Sequence, residues 1–412
     1  MSERKAVMAR QETTDILISG GGVAGLTAAA AFGAAGFSVI CVDPAQPVTD
    51  PAADGADLRT TAFLQPARRL LQDAGLWERL APHAAALQIM RIVDAGGERP
   101  EPRHINDFDA AEISADPFGW NFPNWLLRRE LTARLADLAN VSHRTGTGTA
   151  RVLTRDGEAI VTLTNGAAVS ARLLIAADGR NSPVRDALEI PVRTMRYGQK
   201  ALAFAVTHPV AHGNVSTEVH RSGGPFTLVP LPDRDGLPSS AVVWMERGPE
   251  AARLAALPIA EFEAEMLARS AGLYGPLTLV TRRSVWPIIS QIAARLEGQR
   301  SALIAEAAHV VPPIGAQGLN MSLGDIGCLL GLARAAPASL GDRTMLAAYH
   351  RRRWPEIKAR VTGIDLLNRA SMAGAPVLRD LRARTLKCLY AVTPVRKTLM
   401  KAGLGLRPGQ SG

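Results

Sequence analysis

The 412-residue sequence predicts an α/β fold with a Rossmann-like domain at the start, an inserted antiparallel sheet and C-terminal helices. Three observations predict it. An apolar strand, an alanine-rich helix and a second strand follow one another around closely spaced glycines near the N-terminus. The segment from about Met195 to Arg283 alternates apolar and polar residues, which is typical of antiparallel strands. The last part of the chain is basic, with apolar residues at helical spacing.

Composition indicates a globular protein of a reducing compartment. The sequence is 47% hydrophobic and 21% charged, as in ordinary soluble enzymes. The three cysteines, Cys41, Cys328 and Cys388, are far apart, so we expect no disulfide framework and a cytoplasmic protein. The net charge of +9 is concentrated in residues 351–412, which hold 14 Lys and Arg against 3 Asp and Glu. The remainder has 33 basic and 35 acidic residues, and no nucleic-acid motif is present, so we expect no nucleic-acid partner.

The segment from Ile16 to Val42 is the first element of the fold. It has no charged residue and is long enough to span a bilayer. Six glycines interrupt it, however, and its pattern is a strand, a helix and a strand, which predicts a buried nucleotide-binding unit. The predicted elements are a strand at Ile16–Ser19, a helix at Val23–Ala35 and a strand at Phe37–Val42.

The glycines of this unit have the spacing G-x-G-x-x-G. Gly20 suits a tight turn, Gly22 lets the backbone approach a pyrophosphate, and Gly25 lets helix and strand pack closely. The helix start, with Val23 and Ala24, offers free amides to phosphates. Asp43 at the end of the second strand is placed to accept a hydrogen bond from a ribose hydroxyl. The motif alone does not separate FAD from NAD, although its N-terminal position favours FAD.

Two further strand-to-helix turns carry candidate ligand-binding residues. In "LLIAADGRNSPVRDAL" an apolar strand leads into Asp178-Gly179 and a helix with Arg185, a pattern that suits ribose and phosphate groups. In "LIAEAAHVVPPIGAQGLNMSL" a strand runs into a bend that is stiffened by prolines, loosened by glycines and followed by a helix start. The free amides at such a start suit a flat, electron-rich ligand.

Together and in this order, the three motifs resemble the class A flavoprotein aromatic hydroxylases over nearly the whole chain. The family pattern G-D-A-A-H-x-x-P-P-x-G-x-Q-G-x-N is matched by the segment from Ala305 to Asn320. Within that class, the sequence is most similar to the ubiquinone-biosynthesis hydroxylases. The similar segments are "DLRTTAFLQPARRLLQDAGLWERL", "WPI" at Trp286–Ile288 and the tail "LYAVTPVRKTLMKAGLG".

The resemblance implies the domain organisation of the p-hydroxybenzoate hydroxylase type. The FAD-binding domain is expected in three segments, with substrate-domain segments between them and a basic helical region at the end. The expected boundaries are 13–85, 119–194 and 285–340 for the FAD-binding domain, 86–118 and 195–284 for the substrate domain, and 341–412 for the C-terminal region.

The resemblance also implies FAD as the cofactor, with NAD(P)H and O₂ as co-substrates. Arg59 and Arg128 are the implied contacts to the pyrophosphate and ribityl groups, with Arg129 as the alternative to Arg128. The remaining expected cofactor contacts lie in the three motifs: Gly20, Gly22, Val23, Ala24, Gly25, Asp43, Asp178, Gly179, Glu306, Gly318, Leu319 and Asn320.

The chain departs from the family pattern at two places. Ala305-Glu306 replaces the usual Gly-Asp, and Glu306 keeps the carboxylate acceptor on a side chain that is one methylene longer. Ala316 replaces the second glycine of G-G-Q-G, which is a mild change provided that its φ is negative.

The implied reaction is hydroxylation of a phenolic ring through a C4a-hydroperoxyflavin. The candidate catalytic residues are Pro313 and Gly315, which would shape the wall near C4a, and His309, for which a packing role is the alternative. No other base stands out. Candidate walls of the substrate pocket, with ordinary core packing as the alternative for each, are Phe204, Phe226, Leu228 and Trp244. No metal is expected, because the histidines at 208, 212 and 220 lack nearby cysteines or paired carboxylates.

The basic tail has an apolar face at Leu378, Leu381, Thr385, Cys388 and Val392. Such a helix can lie on an anionic membrane at the inner face, and it can equally close the FAD domain or dock other ubiquinone-biosynthesis proteins.

The leading hypothesis is therefore a monooxygenase of a polyprenyl phenol in ubiquinone synthesis. A hydroxylase of a soluble aromatic or polyketide, and a non-catalytic flavin-binding assembly subunit, are the alternatives.

Overall fold

A computed structural model gives the fold for residues 12–97, 99–221, 223–372 and 390–405. Within these residues the strands are β1 (Glu12–Ser19), β2 (Val39–Asp43), β3 (Thr60–Leu64), β4 (Ala85–Leu87), β5 (Ile89–Asp94), β6 (His104–Asp109), β7 (Gly119–Pro123), β8 (Val141–Thr145), β9 (Thr149–Thr154), β10 (Ala159–Leu163), β11 (Ala168–Ala176), β12 (Val192–Thr207), β13 (Val215–His220), β14 (Pro225–Arg234), β15 (Leu237–Arg247), β16 (Thr278–Leu279), β17 (Ser284–Ala293), β18 (Glu297–Gly298), β19 (Ser301–Leu303) and β20 (His309–Val310).

The helices of the described residues are α1 (Val23–Ala34), α2 (Gln65–Asp73), α3 (Trp77–Leu80), α4 (Asn124–Ala136), α5 (Pro183–Ala187), α6 (Gly248–Ala256), α7 (Ile259–Arg269), α8 (Ala305–Ala308), α9 (Gln317–Ala335), α10 (Arg343–Met372) and α11 (Thr393–Leu404). The predicted basic helix around Leu378–Cys388 lies outside the described residues.

The first sheet is the Rossmann-like core and runs in the order β18-β19-β11-β1-β2-β8. The central strand β1 pairs in parallel with β11 and with β2. Ile16, Leu17 and Ile18 are completely buried because both faces of this sheet are covered, which explains the uninterrupted apolar run in the sequence. The observed strand starts at Glu12, earlier than predicted, because Glu12 and the threonines after it continue the ladder with β11. The predicted fold class is confirmed.

The second sheet is mainly antiparallel, in the order β20-β17-β12-β15-β14-β13-β5-β6. Its strands come from the two chain regions that were expected to form the substrate domain, together with β17 and β20. Helices α6 and α7 cover one face, where Phe262 and Met266 are fully buried against the sheet. The other face meets the loop after β20, because Ile314 packs against Ala201, Met245 and Ile288.

A buried ionic cluster joins β20, α9 and α10. The carboxylate of Asp325 in α9 lies 2.7 Å from His309 Nε2 and accepts a 2.9 Å hydrogen bond from Arg353 Nε. Burial alone would raise the pKa of Asp325, but His309 and Arg353 outweigh it and hold the pKa below its usual value. His309 is only 2% exposed and its Nε2 is occupied by Asp325, which corrects the prediction of a catalytic His309: the residue anchors the start of the loop.

We expect Asp325→Asn to lower the free energy of unfolding by about 3–5 kcal/mol, because it leaves Arg353 buried without its counter-charge. Urea unfolding at neutral pH measures this change. The folded-state pKa of Asp325 lies below the ordinary 3.8, so its stabilising contribution is complete above that pH. The contribution disappears as the pH falls through the folded-state value, so the difference between the two proteins should narrow in acid.

The matched control is Asp73→Asn. Asp73 forms pairs of 3.6 and 3.7 Å with Arg69 and Arg334, and these groups are well exposed. Its loss should cost less than about 1 kcal/mol. Equal losses for the two variants would contradict a special role for the buried cluster.

Candidate functional site

The three glycines of the first turn have three different surroundings. Gly20 has a φ of +111°, and a Cβ there would lie 2.4 Å from the carbonyl oxygen of Ala177. A Cβ on Gly25 would lie 1.9 Å from the carbonyl oxygen of Gly20, so helix and turn touch. A Cβ on Gly22, in contrast, would have no atom within 4 Å. Gly20 and Gly25 therefore serve close packing, while Gly22 borders open space.

Two carboxylates flank this turn. Asp43 accepts a 2.5 Å hydrogen bond from the amide of Gly21, so the end of β2 lies against the glycine turn. One oxygen of Asp178 accepts from Ser19 at 3.3 Å and from the amide of Val184 at 3.2 Å. The other oxygen, Oδ1, is buried without a hydrogen-bond partner. Burial raises the pKa of Asp178. A ligand hydroxyl that donates a hydrogen bond to Oδ1 would satisfy this oxygen, which the protein leaves unpaired.

The second and third motifs are tied together behind the turn. The amide of Ile304 donates to the carbonyl of Ala176, and buried Arg185 donates to the carbonyl of Ala307 at 3.2 Å. Arg185 is 3% exposed, so it joins α5 to α8 and does not reach outwards. Gly179 has a φ of +86° with open space at its Cβ position. The three motifs thus converge on one region, as the sequence analysis expected.

Arg59 lies beside the third motif. Its Nε and Nη2 donate to the carboxylate of Asp57 at 2.8 and 2.7 Å, and the guanidinium stacks 5.5 Å from the ring centre of Trp286. The hydrogen bond with Asp57, and further the charge of exposed Glu306, raise the pKa of Arg59. The Arg59 side chain remains 45% exposed, so it can contact a ligand while Asp57 and Trp286 hold its direction.

The structure distinguishes Arg128 from Arg129. Arg129 is exposed, donates to Glu130 at 2.8 Å and stacks on Trp125. Arg128 lies on a more buried side of α4, and its Nε is buried without a hydrogen-bond partner. A buried guanidinium nitrogen with no acceptor favours Arg128 as the anion contact, because an unpaired buried donor costs free energy until a ligand supplies an acceptor.

The Pro-rich loop turns through two left-handed residues before α9 begins. Gly315 has a φ of +62° and Ala316 a φ of +55°. The positive φ of Ala316 corrects the expectation that this substitution for glycine is mild, because a Cβ in this region costs about 1–2 kcal/mol. Ala305, the other alanine in place of a family glycine, also has a positive φ of 54°. Both departures from the family pattern therefore store backbone strain next to the site.

Two helix starts point uncapped amides into this region. No side chain caps α1, where Val23 and Ala24 follow Gly22, and none caps α9, where Gly318 and Leu319 are in the first turn. Gly318 is exposed and Leu319 half-buried. Because the first four amides of a helix lack intrahelical acceptors, both starts suit negatively charged or electron-rich groups.

Asn320 is committed to the protein. Its Nδ2 donates to the carbonyls of Ala62 and Ala316 at 2.8 and 2.7 Å, and its Oδ1 accepts from the amide of Leu64 at 2.9 Å. Both side-chain amide hydrogens are therefore used within the protein, and the expected cofactor contact of Asn320 stays a prediction. Asn320 fastens α9 to β3 and positions the loop.

Gln317 makes a second connection from the same helix start. Its Nε2 donates to the carbonyls of Gly315 and Gly403 at 2.9 and 3.0 Å, and its Oε1 accepts from Arg360 at 2.5 Å. The loop is thereby tied to α10 and to the end of α11. The sequence does not reveal this role of Gln317, because Arg360 and Gly403 are remote from it in the chain.

The four predicted pocket residues face the helices. Phe204 and Trp244 stack on Phe262 of α7 at 5.1 and 5.9 Å between ring centres, and Phe226 stacks on Trp244. With Leu228 they belong to the core between the sheet and the helices, and each is at most 3% exposed. This corrects the prediction that they line a substrate pocket.

The opposite sheet face supplies the wall next to the loop. Tyr197, Val243 and Trp286 are partly buried there and pack with Ile314 against the buried Ala201, Met245 and Ile288. A sequence signal for this face exists in β12, where alanines at 201, 203 and 205 alternate with large residues. Small side chains on one face leave room, so the alanine face was the better prediction.

The described residues contain no group of three or more His, Cys, Asp and Glu side chains that could hold a metal ion. His208 and His212 bond to Ser240 and to the carbonyl of Leu231, and His220 pairs with Glu218. Among the helices of the described segments, none is both long and apolar enough to cross a membrane.

The arrangement fits FAD on grounds of this structure alone. It offers the unpaired Asp178 Oδ1 and open space at Gly22 beside the glycine turn, two uncapped helix starts, and in α4 the unpaired Arg128 Nε. A phosphate-rich, hydroxyl-rich ligand with a flat ring would satisfy each of these groups.

We expect Gly22→Val to weaken FAD binding by at least about tenfold, or 1.4 kcal/mol, because its side chain enters the space that is left for the pyrophosphate. Flavin fluorescence titration of the apoprotein measures the affinity. The apoprotein should keep its melting temperature. Gly25→Val is the matched contrast: it should lower the melting temperature strongly, since its side chain meets the Gly20 carbonyl. Full FAD affinity in Gly22→Val would contradict this placement.

We expect Arg128→Met to weaken FAD binding by about 1.5–3 kcal/mol, the usual contribution of a hydrogen bond to a charged group. Arg129→Met is its neighbour control and should leave the affinity unchanged, because Arg129 already has Glu130 as its partner. The same fluorescence titration measures both variants. If only Arg129→Met lowered the affinity for FAD, the contact would belong to Arg129 and not to Arg128.

The comparisons with known proteins agree with this geometry. Residues 13–363 match the FAD binding domain family. The chain is 32% identical to the ubiquinone hydroxylase UbiL of Rhodospirillum rubrum, over 96% of this chain and 90% of that protein. It is 25% identical to the 3-demethoxyubiquinol 3-hydroxylase of Escherichia coli, over 96% of this chain and 99% of that protein.

Solved structures show the same fold. The p-nitrophenol 4-monooxygenase PnpA of Pseudomonas putida aligns with a TM-score of 0.78 at 19% identity, covering 96% of this chain and all of that one. The match to the family extends from β1 into α10 and includes every motif described above. The chain belongs to the FAD-binding family of flavin-dependent monooxygenases.

Proposed function

We propose that the protein is an FAD- and NAD(P)H-dependent monooxygenase that hydroxylates the aromatic ring of a prenylated phenol in ubiquinone biosynthesis. The observation that carries the proposal is the similarity to ubiquinone hydroxylases over 96% of this chain. The names of these relatives state their reaction, and the convergence of the three motifs supports the same chemistry here.

Reduced flavin supplies activated oxygen from O₂ in this family, and the protein's residues provide placement. The uncapped start of α9, with Gly318 and Leu319, would stabilise negative charge on the flavin ring through its amides and dipole. Pro313 and Gly315 shape the loop beside it, and Trp286 and Ile314 form an apolar wall that excludes water. No side chain on this wall acts as a base in the arrangement described.

Arg59 would bring a positive charge to the boundary between cofactor and substrate regions. Its guanidinium lies between the Asp57 carboxylate and the Trp286 ring, and Glu306 contributes a negative charge nearby. Glu306 occupies the position of the family's aspartate, and its exposed carboxylate would accept a hydrogen bond from a ribityl hydroxyl.

Contact with an anionic membrane surface is the part of the proposal that concerns the C-terminal region. In α11, Val395 and Leu399 are exposed, while Met400 and Leu404 are buried; Val392, which precedes the helix, is exposed as well. Lys397 and Lys401 lie in the same helix. An exposed apolar stripe with lysines suits an interfacial helix, and a prenylated substrate is dissolved in the bilayer.

The deciding experiment is turnover by the yellow, FAD-loaded protein. With NADH or NADPH, oxygen and a prenylated phenol in anionic liposomes, we expect substrate-stimulated oxidation of the nicotinamide and a product one oxygen atom heavier by mass spectrometry. Water-soluble phenols without lipid are the comparison arm.

Strong turnover of the soluble phenols alone would favour a hydroxylase of soluble aromatics. Bound flavin without any substrate-stimulated oxidation would favour a non-catalytic assembly subunit, the reading that the Ala305-Glu306 departure keeps open. Quinone profiling of a strain that lacks the gene identifies the hydroxyl that is missing.

A further inference from the structure

A second cavity lies between the antiparallel sheet and α10. Its volume is about 530 Å³, within the range of about 300–1,000 Å³ in which proteins bind small ligands. Its walls are mostly apolar. The larger apolar lining residues are Pro191, Val192, Met195, Ile292, Trp354 and Val361. The charged lining residues are Arg193, Lys358 and Asp365. None of the roles assigned above uses this cavity.

The cavity continues the wall of the proposed active site. Alternate residues of a strand share one face, so Trp286, Ile288, Ser290 and Ile292 of β17 form one row. The first two pack with Ile314 beside the flavin loop, and the last two line the second cavity. The row spans about 20 Å at the usual rise of a strand. One end is therefore beside Ile314 of the flavin loop, and the other is under α10.

Tyr197 marks the boundary between the two regions. Its ring packs with the wall next to the loop, while its hydroxyl lies 2.6 Å from Asp365 and 2.9 Å from Ser290, which both line the second cavity. The register of β12 against β17 shifts between Arg196 and Lys200. Tyr197 is inside this irregular stretch, and such bulges redirect a side chain out of the regular alternation.

We propose that the cavity under α10 binds the isoprenoid tail of the substrate, with Tyr197 between the ring and the tail. This inference rests on the proposed function and assigns a binding site to the tail of the proposed substrate. A mostly apolar cavity bordered by the strand that also packs with Ile314 fits a hydrocarbon chain attached to a phenol. Thr362 and Ala294 are exposed at the cavity, so a longer tail can continue beyond it.

The test uses two substitutions that fill the cavity from opposite sides and leave the buried core residues unchanged. Thr362→Trp on α10 and Ala294→Trp just after β17 each add an indole at an exposed lining position. Leu366→Trp is the matched control, because Leu366 is 62% exposed on α10 and does not line the cavity. Calorimetric titration of the FAD-loaded protein with farnesol then measures tail binding directly.

We expect saturable farnesol binding to the unsubstituted protein and to Leu366→Trp, and binding at least about tenfold weaker in both filling variants. In turnover, the filling variants should raise the KM for a farnesylated phenol by a similar factor. The KM for the same phenol without the tail should stay unchanged, which separates a blocked groove from a damaged active site.

Absence of farnesol binding to the unsubstituted protein would overturn the proposal, as would equal binding by Thr362→Trp. Calorimetry needs no turnover, so its result is independent of whether any phenol is hydroxylated. If farnesol binds in the groove but no phenol reacts, the proposed function fails while the isoprenoid site stands.

Discussion

The buried carboxylate of Asp325 is the constraint on which the geometry of the flavin loop depends. Asp325 belongs to α9, the helix that follows the loop. Its carboxylate bonds to His309 of β20, the strand before the loop, and to Arg353 of α10. A fully buried charge is tolerated only when its partners surround it, so these three elements have one favourable arrangement. The loop is thus held from behind. Away from this cluster, Asp178 Oδ1 and Arg128 Nε are buried without partners in the protein.

The antiparallel sheet divides its two faces between stability and binding. Phe204, Trp244 and their neighbours bury large side chains against α6 and α7, which anchors the sheet. On the other face Ala201 of β12 packs with Ile314 and, farther along β17, the sheet borders the cavity under α10. Because strand residues alternate faces, the same strands provide both the packed core and a continuous apolar wall. A rigid sheet of this kind can position a ring at one end while tolerating a variable chain at the other.

The sequence predicted the features that depend on local chemistry. The G-x-G-x-x-G turn was recognisable because Gly20 and Gly25 face contacts that no side chain permits, and the fold class followed from the strand and helix periods. Features that depend on distant contacts were not predictable. His309 in the third motif is a core anchor because it bonds to Asp325, 16 residues later. The side chain of Asn320 bonds to backbone groups 256 and 258 residues away. The wrong face was chosen for the pocket because alternation identifies two faces but does not say which one a helix covers.

The ties of Gln317 have a consequence for how the protein is made. Gln317 bonds to the carbonyl of Gly403, Asn320 bonds to β3, and β1 pairs with β11 about 150 residues downstream. A ribosome that has synthesised only the N-terminal glycine turn has therefore produced a fragment that lacks most of the groups around the cofactor. The hydrogen bond from Gln317 to Gly403 can form only when residue 403 has left the exit tunnel, so the flavin loop lacks this contact while the earlier parts of the chain are made.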